Sequence, residues 1–226
     1  MRETQEGGRI TNTERCRFTM GQRMKAAGTI RKLWPTDLPA FRAHLLRLDP
    51  DSRHSRFGMG ASDDFITRYA ARSFTLPGVT FGYFEDGVLR GAAELRDMGH
   101  EGEDGTIHDG EAAFSIEQDW RGKGIGSLLF RKIITAARNR HMRRLYTSCL
   151  AYNRSMQALA RKFKADLTFE TDEVLGVLEA PDATAATQFS EALEDATGFA
   201  TAVLDLQRRW FNPFHGFNLF NPARPS

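Results

Sequence analysis

EAAFSIEQDWRGKGIGSLLFRKI, residues 111–133, is the stretch whose reading decides the fold. Ala112, Phe114 and Ile116 alternate with Glu111, Ala113, Ser115 and Glu117, so it begins as a strand with one apolar and one partly polar face. After a short turn, Ile125, Leu128, Leu129, Ile133, Ala136 and Ala137 recur at helical spacing. The joint between them is Arg121-Gly122-Lys123-Gly124-Ile125-Gly126-Ser127. The first N–H groups of a helix have no intrahelical partner and carry partial positive charge. Glycines let a phosphate approach them without Cβ interference. Arg121 and Lys123 add charge of the matching sign.

Spacing narrows the kind of anion. A Walker loop requires G-x-x-x-x-G-K-[ST], which is absent. A dinucleotide fingerprint requires G-x-G-x-x-G, but the glycines fall at 122, 124 and 126, and Ser127 stands where the third should be. What remains is [RQ]-x-x-G-x-G after a strand.

Working outward, TFGYFEDGVLRGAAEL (80–95) reads as two strands around Asp86-Gly87, a dipeptide suited to a tight hairpin. Upstream, a strand TIRKLW (29–34) precedes a helix with the stripe Leu38, Phe41, Leu45 and Leu48, which Asp49-Pro50-Asp51 is expected to stop; a second helix starts at Ser62. Downstream come a buried-type strand at 145–151, a helix with Met156, Leu159, Ala160 and Phe163, and two strands at 166–170 and 173–179. This order predicts an α/β domain over 29–180 with helices on a central sheet. Residues 1–28, polar and aperiodic, are expected to be a disordered arm. Residues 181–226 are expected to form a helical extension, broken at Gly198, with an aromatic tail. The stripe Phe189, Leu193, Ala196, Ala200, Val203 and Trp210 predicts docking on the domain itself or on a second copy, giving a homodimer.

Lys plus Arg number 31 against 29 Asp plus Glu, a net charge of +2, so bulk attraction to nucleic acid or anionic membrane is not expected. The basic residues Arg131, Lys132, Arg138 and Arg140 have no aromatic stacking platform interleaved. No apolar run approaches the roughly 20 residues needed to span a bilayer. Cys16 and Cys149 stand too far apart for a metal knuckle or redox pair and fit a reducing cytoplasm. His100 and His108 show no metal-ligand spacing, and no metal is expected.

The stretch 111–133 resembles motif A of the GNAT superfamily of N-acetyltransferases, with Arg121 through Gly126 at its defining positions. Asn153-Arg-Ser-Met156 and Leu159-Ala-Arg-Lys162 are similar to that superfamily's N-x-x-M-x-x-L-x-x-K helix. The opening LPAFRAHLLRLDPDSRHSRFG (38–58) looks most like bacterial protein-lysine-acetyltransferase domains. The resemblance implies a mixed sheet splayed between the strands at 111–117 and 145–151. It also implies acetyl-CoA as co-substrate and a primary amine, on a small molecule or a protein lysine, as acceptor in a ternary complex. By position, Ser115, Ile116 and Glu117 would border pantetheine, with backbone contacts at Ser115 and Ile116; Arg121, Gly122, Lys123, Gly124, Ile125, Gly126 and Ser127 would cradle the pyrophosphate. Asn153 would touch the cofactor as well as cap its helix.

A general base must free the amine's lone pair. Glu111 occupies the place of the usual base in these relatives, and Glu117 is the runner-up at the other end of the strand. The acidic stretch 97–111 would border the acceptor. Two departures stand out: Ala160 replaces the Tyr that commonly protonates the leaving thiolate, leaving water or another hydroxyl such as Tyr152, and Lys164-Ala165 replaces a closing Gly-Phe. The first keeps open an alternative, an acyl-CoA-binding regulatory module without turnover.

Overall fold

The computed structural model describes residues 28–98, 109–179 and 183–211, with backbone alone for 204–211. The expected N-terminal arm up to residue 27, most of the acidic stretch with His100 and His108, and the aromatic tail beyond Phe211 lie outside the described residues.

The period-two stretch forms β4 (Asp109–Ile116) in a mixed seven-stranded sheet. The other strands are β1 (Thr29–Lys32), β2 (Gly78–Glu85), β3 (Val88–Asp97), β5 (Arg144–Leu150), β6 (Asp166–Phe169) and β7 (Glu173–Glu179), in the order β1-β2-β3-β4-β5-β7-β6. Asp86 and Gly87, between β2 and β3, both take positive φ, as a tight hairpin requires. Every pairing is antiparallel except β4 with β5. That parallel pair holds only from Asp109 to Glu111 against Arg144 to Tyr146. Beyond it the strands part, leaving one edge of β4 without a β5 partner from Ala112 to Ile116.

Helices cover both faces. On one, α4 (Ile125–Asn139) buries Ile125, Leu129 and Ile133 against Phe81, Leu95, Ala112 and Leu145. On the other, α1 (Leu38–Leu46) and α3 (Asp63–Ser73) bury Phe41, Leu45, Ile66 and Ala70 against Phe84, Leu89 and Ala92. Stacked rings of Phe114, Phe130 and Phe163, with centroids 5.1 and 4.6 Å apart, tie β4 and α4 to the end of α5 (Arg154–Lys162).

Two expectations are corrected. Asp49-Pro50-Asp51 ends one helix but begins another, α2 (Pro50–Phe57). The Asp49 side chain accepts from Ser52 N at 2.9 Å, and Pro50 sits in the first turn, where its missing N–H costs nothing. The second correction concerns α6 (Ala185–Phe211), which runs unbroken through Gly198. Gly198 is buried against β1, and a Cβ there would meet Arg31 Cβ at 3.4 Å. The helix docks on its own chain, but not through the expected stripe. Lys32 Nζ donates to Asp195 at 2.6 Å, Arg140 to Glu191 at 2.8 Å, and Thr187 to Asn139 at 2.9 Å, while Phe199 meets Trp34 edge-on. Phe189, Leu193 and Val203 stay exposed, Phe189 at 72%. Among the described residues no helix is long and apolar enough to cross a membrane.

Candidate active site

The turn from β4 into α4 has the geometry of an anion cradle. Gly122 and Gly124 take φ of +72° and +83°, and a Cβ on either would meet nothing within 4 Å, so their outer faces open into free space. Gly124 is the N-cap of α4, and no side chain caps it. The first N–H groups of the helix are therefore available to an anion. Gly126 is different: a Cβ there would stand 3.3 Å from Leu159 and 3.4 Å from Ile116, so it permits the close approach of α5 and β4.

A cavity of roughly 460 Å³ opens over this turn. Ser115, Ile116, Arg121, Gly122, Gly124, Gly126, Ser127 and Asn153, all expected site residues, line it together. Phe114, Met156, Leu159 and Lys162 complete one wall, and Leu48, Ser52, Ser55 and Arg56 the other. Arg121 is held across it, donating to Ser52 Oγ and, through Nε, to Ile116 O at 3.3 Å. Lys162 Nζ donates to Ser127 Oγ at 2.9 Å. Asn153 caps α5 by accepting from Met156 N at 3.1 Å. Arg121 and Lys162 are cations and no carboxylate is among the lining residues, which suits a polyanionic ligand, while the charge of Arg56 is matched by the buried Glu94 behind it.

The free edge of β4 completes the site. Glu117 N donates to Arg90 O on β3, and antiparallel pairing alternates, so Ser115 also turns its backbone toward β3. The amides of Phe114 and Ile116 face the unpaired edge, where an extended amide chain can add. Ile116 thus offers its backbone to that edge. Ser115 also lines the cavity, but its backbone belongs to the β3 ladder and its hydroxyl lies 2.9 Å from His44 Nε2.

The remaining expected residues lie outside the cavity lining. Lys123 stacks its ammonium on Trp120 at 4.2 Å, and Ile125 is core. Glu111 is exposed at the end where β4 and β5 still pair. Tyr152 is 59% exposed and parallel to His54, and Ala160 is buried.

Glu117 is buried in a network no spacing announced. Its Oε1 accepts from Arg47 Nε at 2.9 Å and lies 3.1 Å from His44 Nδ1; its Oε2 accepts from Arg90 at 2.9 Å. On its other side, His44 Nε2 is 2.9 Å from Ser115 Oγ. Burial pushes the Glu117 carboxyl upward, but the hydrogen bonds from His44, Arg47 and Arg90 outweigh it and hold it at about 2. For His44, burial prevails over the Glu117 bond and lowers the imidazole from 6.5, favouring the neutral ring. A carboxylate depressed on folding stabilises the protein above its unfolded pKa and loses that contribution as pH falls. Wild type should accordingly melt higher than Glu117→Gln at pH 7, with the gap closing between about 4.5 and about 2. Calorimetric melting points across that range check it. A constant gap would show that the charge of Glu117 contributes nothing.

The fold is mixed α/β, and its candidate site joins an open, uncapped helix start to a parted sheet. A family model described as the acetyltransferase (GNAT) family matches residues 41–164, and the chain belongs to that family. No curated protein matches it. Among solved structures, the GNAT domain of S. lividans PAT is similar at 20% identity and a TM-score of 0.57, covering 67% of this chain and 90% of that one. YncA of Salmonella typhimurium, solved with its cofactor acetyl-CoA, matches at 17% identity and 0.53, covering 70% and 97%. The ribosomal-protein-S18-alanine N-acetyltransferase of Escherichia coli has the same identity, score and coverages.

Proposed function

We propose that this protein is an acetyl-CoA-dependent N-acetyltransferase that passes an acetyl group to a primary amine by direct attack in a ternary complex. The observation that carries the reading is the uncapped start of α4, with Gly122 and Gly124 left-handed and open, at the floor of a cavity that also borders the free edge of β4. The N–H groups of that helix, with Arg121 and Lys162, suit a pyrophosphate. The outward amides of Phe114 and Ile116 suit pantetheine, and a thioester extended along that edge would lie beside Ser115. One cavity contains both this wall and the opposite wall of Ser55 and Arg56, so donor and acceptor can be held at once. YncA, bound to acetyl-CoA on the same fold, supports the choice of donor.

A second reading, acyl-CoA binding without turnover, is favoured by Ala160, a buried methyl group where a thiolate-protonating phenol would stand. Thiol release from acetyl-CoA, followed with poly-L-lysine, spermidine and L-lysine, separates the two. The enzyme reading expects thiol release and a matching acetylated amine by mass spectrometry. Tight acetyl-CoA binding by calorimetry with no thiol from any of these amines would favour the binding module.

A further inference from the structure

Glu111, at the position from which a base is expected to take the amine's proton, lies outside the cavity lining. The cavity instead meets a different acid–base group through Ser115. Ser115 lines the cavity, and His44, whose ring meets its hydroxyl, is fully buried. The imidazole spans the gap between Ser115 Oγ at 2.9 Å and Glu117 Oε1 at 3.1 Å. We propose that Ser115, His44 and Glu117 form a proton relay for acyl transfer, with the Ser115 hydroxyl touching the acceptor amine, His44 holding its proton and Glu117 fixing the ring. The relay rests on the acetyl-transfer reading above.

Each member is constrained to one role. Glu117 accepts from Arg47 at the C-cap of α1, from Arg90 on β3 and faces the His44 ring, so both carboxylate oxygens are engaged by cationic or N–H groups. A carboxylate held this way is ionised and a poor proton acceptor; it orients its neighbour instead. It sets the Nδ1–H tautomer of His44, because a carboxylate can only accept. That leaves Nε2 with a lone pair toward Ser115, whose hydroxyl is then the donor. Burial keeps the ring neutral and ready to accept. His44 from α1, with Ser115 and Glu117 from the end of β4 and the residue after it, thus reproduces the acid–histidine–hydroxyl order of a hydrolase triad. Here the hydroxyl serves as a proton conduit.

The balance closes without another reactant. As the neutral amine nitrogen bonds to the thioester carbon, its N–H bond breaks and its proton goes to Ser115 Oγ, while the Ser115 proton moves to His44 Nε2. Collapse of the tetrahedral adduct breaks the C–S bond, and the sulfur leaves with the bonding pair. The imidazolium returns its proton through Ser115 to that sulfur, giving amide and thiol. An amine arriving as ammonium gives up one further proton to solvent. The same relay acts as base and then as acid, which accounts for a site that works with Ala160 in place of a phenol.

Two measurements on the full-length protein test it. Nitrogen–proton correlation spectra of the His44 ring at neutral pH, with and without acetyl-CoA, should show the proton on Nδ1 and a bare Nε2. A proton on Nε2, or a doubly protonated ring, overturns the relay whatever the acceptor. In turnover with acetyl-CoA and poly-L-lysine, spermidine or L-lysine, Ser115→Ala should lower kcat by about 10²–10⁴-fold, with acetyl-CoA affinity by calorimetry within a few fold of wild type. Ser115→Thr, which keeps the hydroxyl and suits a strand, should recover most of that loss. A structural role for Ser115 would predict neither the kcat-only defect nor the rescue. Wild-type kcat in Ser115→Ala overturns the proposal, above all if Glu111→Gln is then the slow variant. If wild type binds acetyl-CoA but acetylates none of these amines, the acetyl-transfer reading falls and takes the relay with it, whereas a wild type that turns over with an Nε2-protonated ring or an unimpaired Ser115→Ala overturns the relay alone.

Discussion

Gly124→Asp is expected to weaken acetyl-CoA binding by at least about 100-fold in a protein that still folds. Gly124 caps α4 with φ +83°, and the space beyond its missing Cβ is open. A left-handed aspartate costs on the order of 1–2 kcal/mol, and aspartate is the side chain that tolerates it best among those with a negative charge. Asp86 already adopts φ +50° in the β2–β3 hairpin of this chain. The new carboxylate would cap the helix and occupy the N–H groups meant for phosphate. A hydrogen bond to a charged group contributes about 1.5–3 kcal/mol, so forfeiting one or two and adding repulsion amounts to about 3 kcal/mol, or two decades in Kd. Gly126→Asp should also weaken binding, but its Cβ would press on Leu159 and Ile116, so its effect mixes packing with charge. Calorimetry on Gly124→Asp, with its melting point measured alongside, separates the two contributions. Unchanged affinity in a folded variant would remove the cofactor assignment and the proposed function with it.

This site was legible to the extent that its parts are adjacent in sequence. The change of period from two to 3.6 across Arg121–Ser127 announces strand, turn and helix within one window, and the glycines mark the cradle directly. The α2 helix was hidden because Asp-Pro is both a stop for the helix before it and a start for the helix after it. Its omission concealed the wall that carries Ser52, Ser55 and Arg56. The α6 stripe misled for another reason. Apolar periodicity predicts burial only where a core is available, and this helix docks through Thr187, Glu191 and Asp195, whose partners Asn139, Arg140 and Lys32 are polar. The relay was out of reach of local pattern. His44 and Glu117 are 73 residues apart, and only the packing of α1 on the sheet brings them together. One signal was present: His44 falls three residues after Phe41 and one before Leu45, on the side of the helix that must be buried. A histidine there needs polar partners from the strand it covers.

The largest stability effect is expected at Glu94, which belongs to a second buried network next to the cavity. Glu94, on β3, is 2% exposed. Its Oε2 accepts from Arg56 at 2.5 Å and from Tyr69 at 2.7 Å, and its Oε1 from Arg96. Arg56 also donates to the Tyr69 oxygen at 2.6 Å. Burial raises the Glu94 carboxyl, but the charges of Arg56 and Arg96 outweigh it and hold it below its ordinary 4.5. Burial pushes the Tyr69 phenol up to about 12, so it stays protonated and donates. Two guanidinium groups therefore depend on one carboxylate. Removing it by Glu94→Ala leaves them buried, adjacent and of like charge, which costs about 3–5 kcal/mol. At about 2–4 °C per kcal/mol for a chain of this size, the melting point should fall by roughly 10 °C. Tyr69→Phe removes hydrogen bonds but no charge and should cost only about 1–2 kcal/mol. The sign with pH follows from the depressed carboxyl: its contribution is complete above 4.5, so the gap between wild type and Glu94→Ala should narrow as pH falls below that value. Arg56 lines the cavity wall opposite the cradle, so the same variant frees a cation at the proposed acceptor side. A Glu94→Ala protein that melts within a degree or two of wild type at pH 7 would mean that water or a rearranged partner compensates both arginines, and that this network holds neither the fold nor the acceptor wall in place.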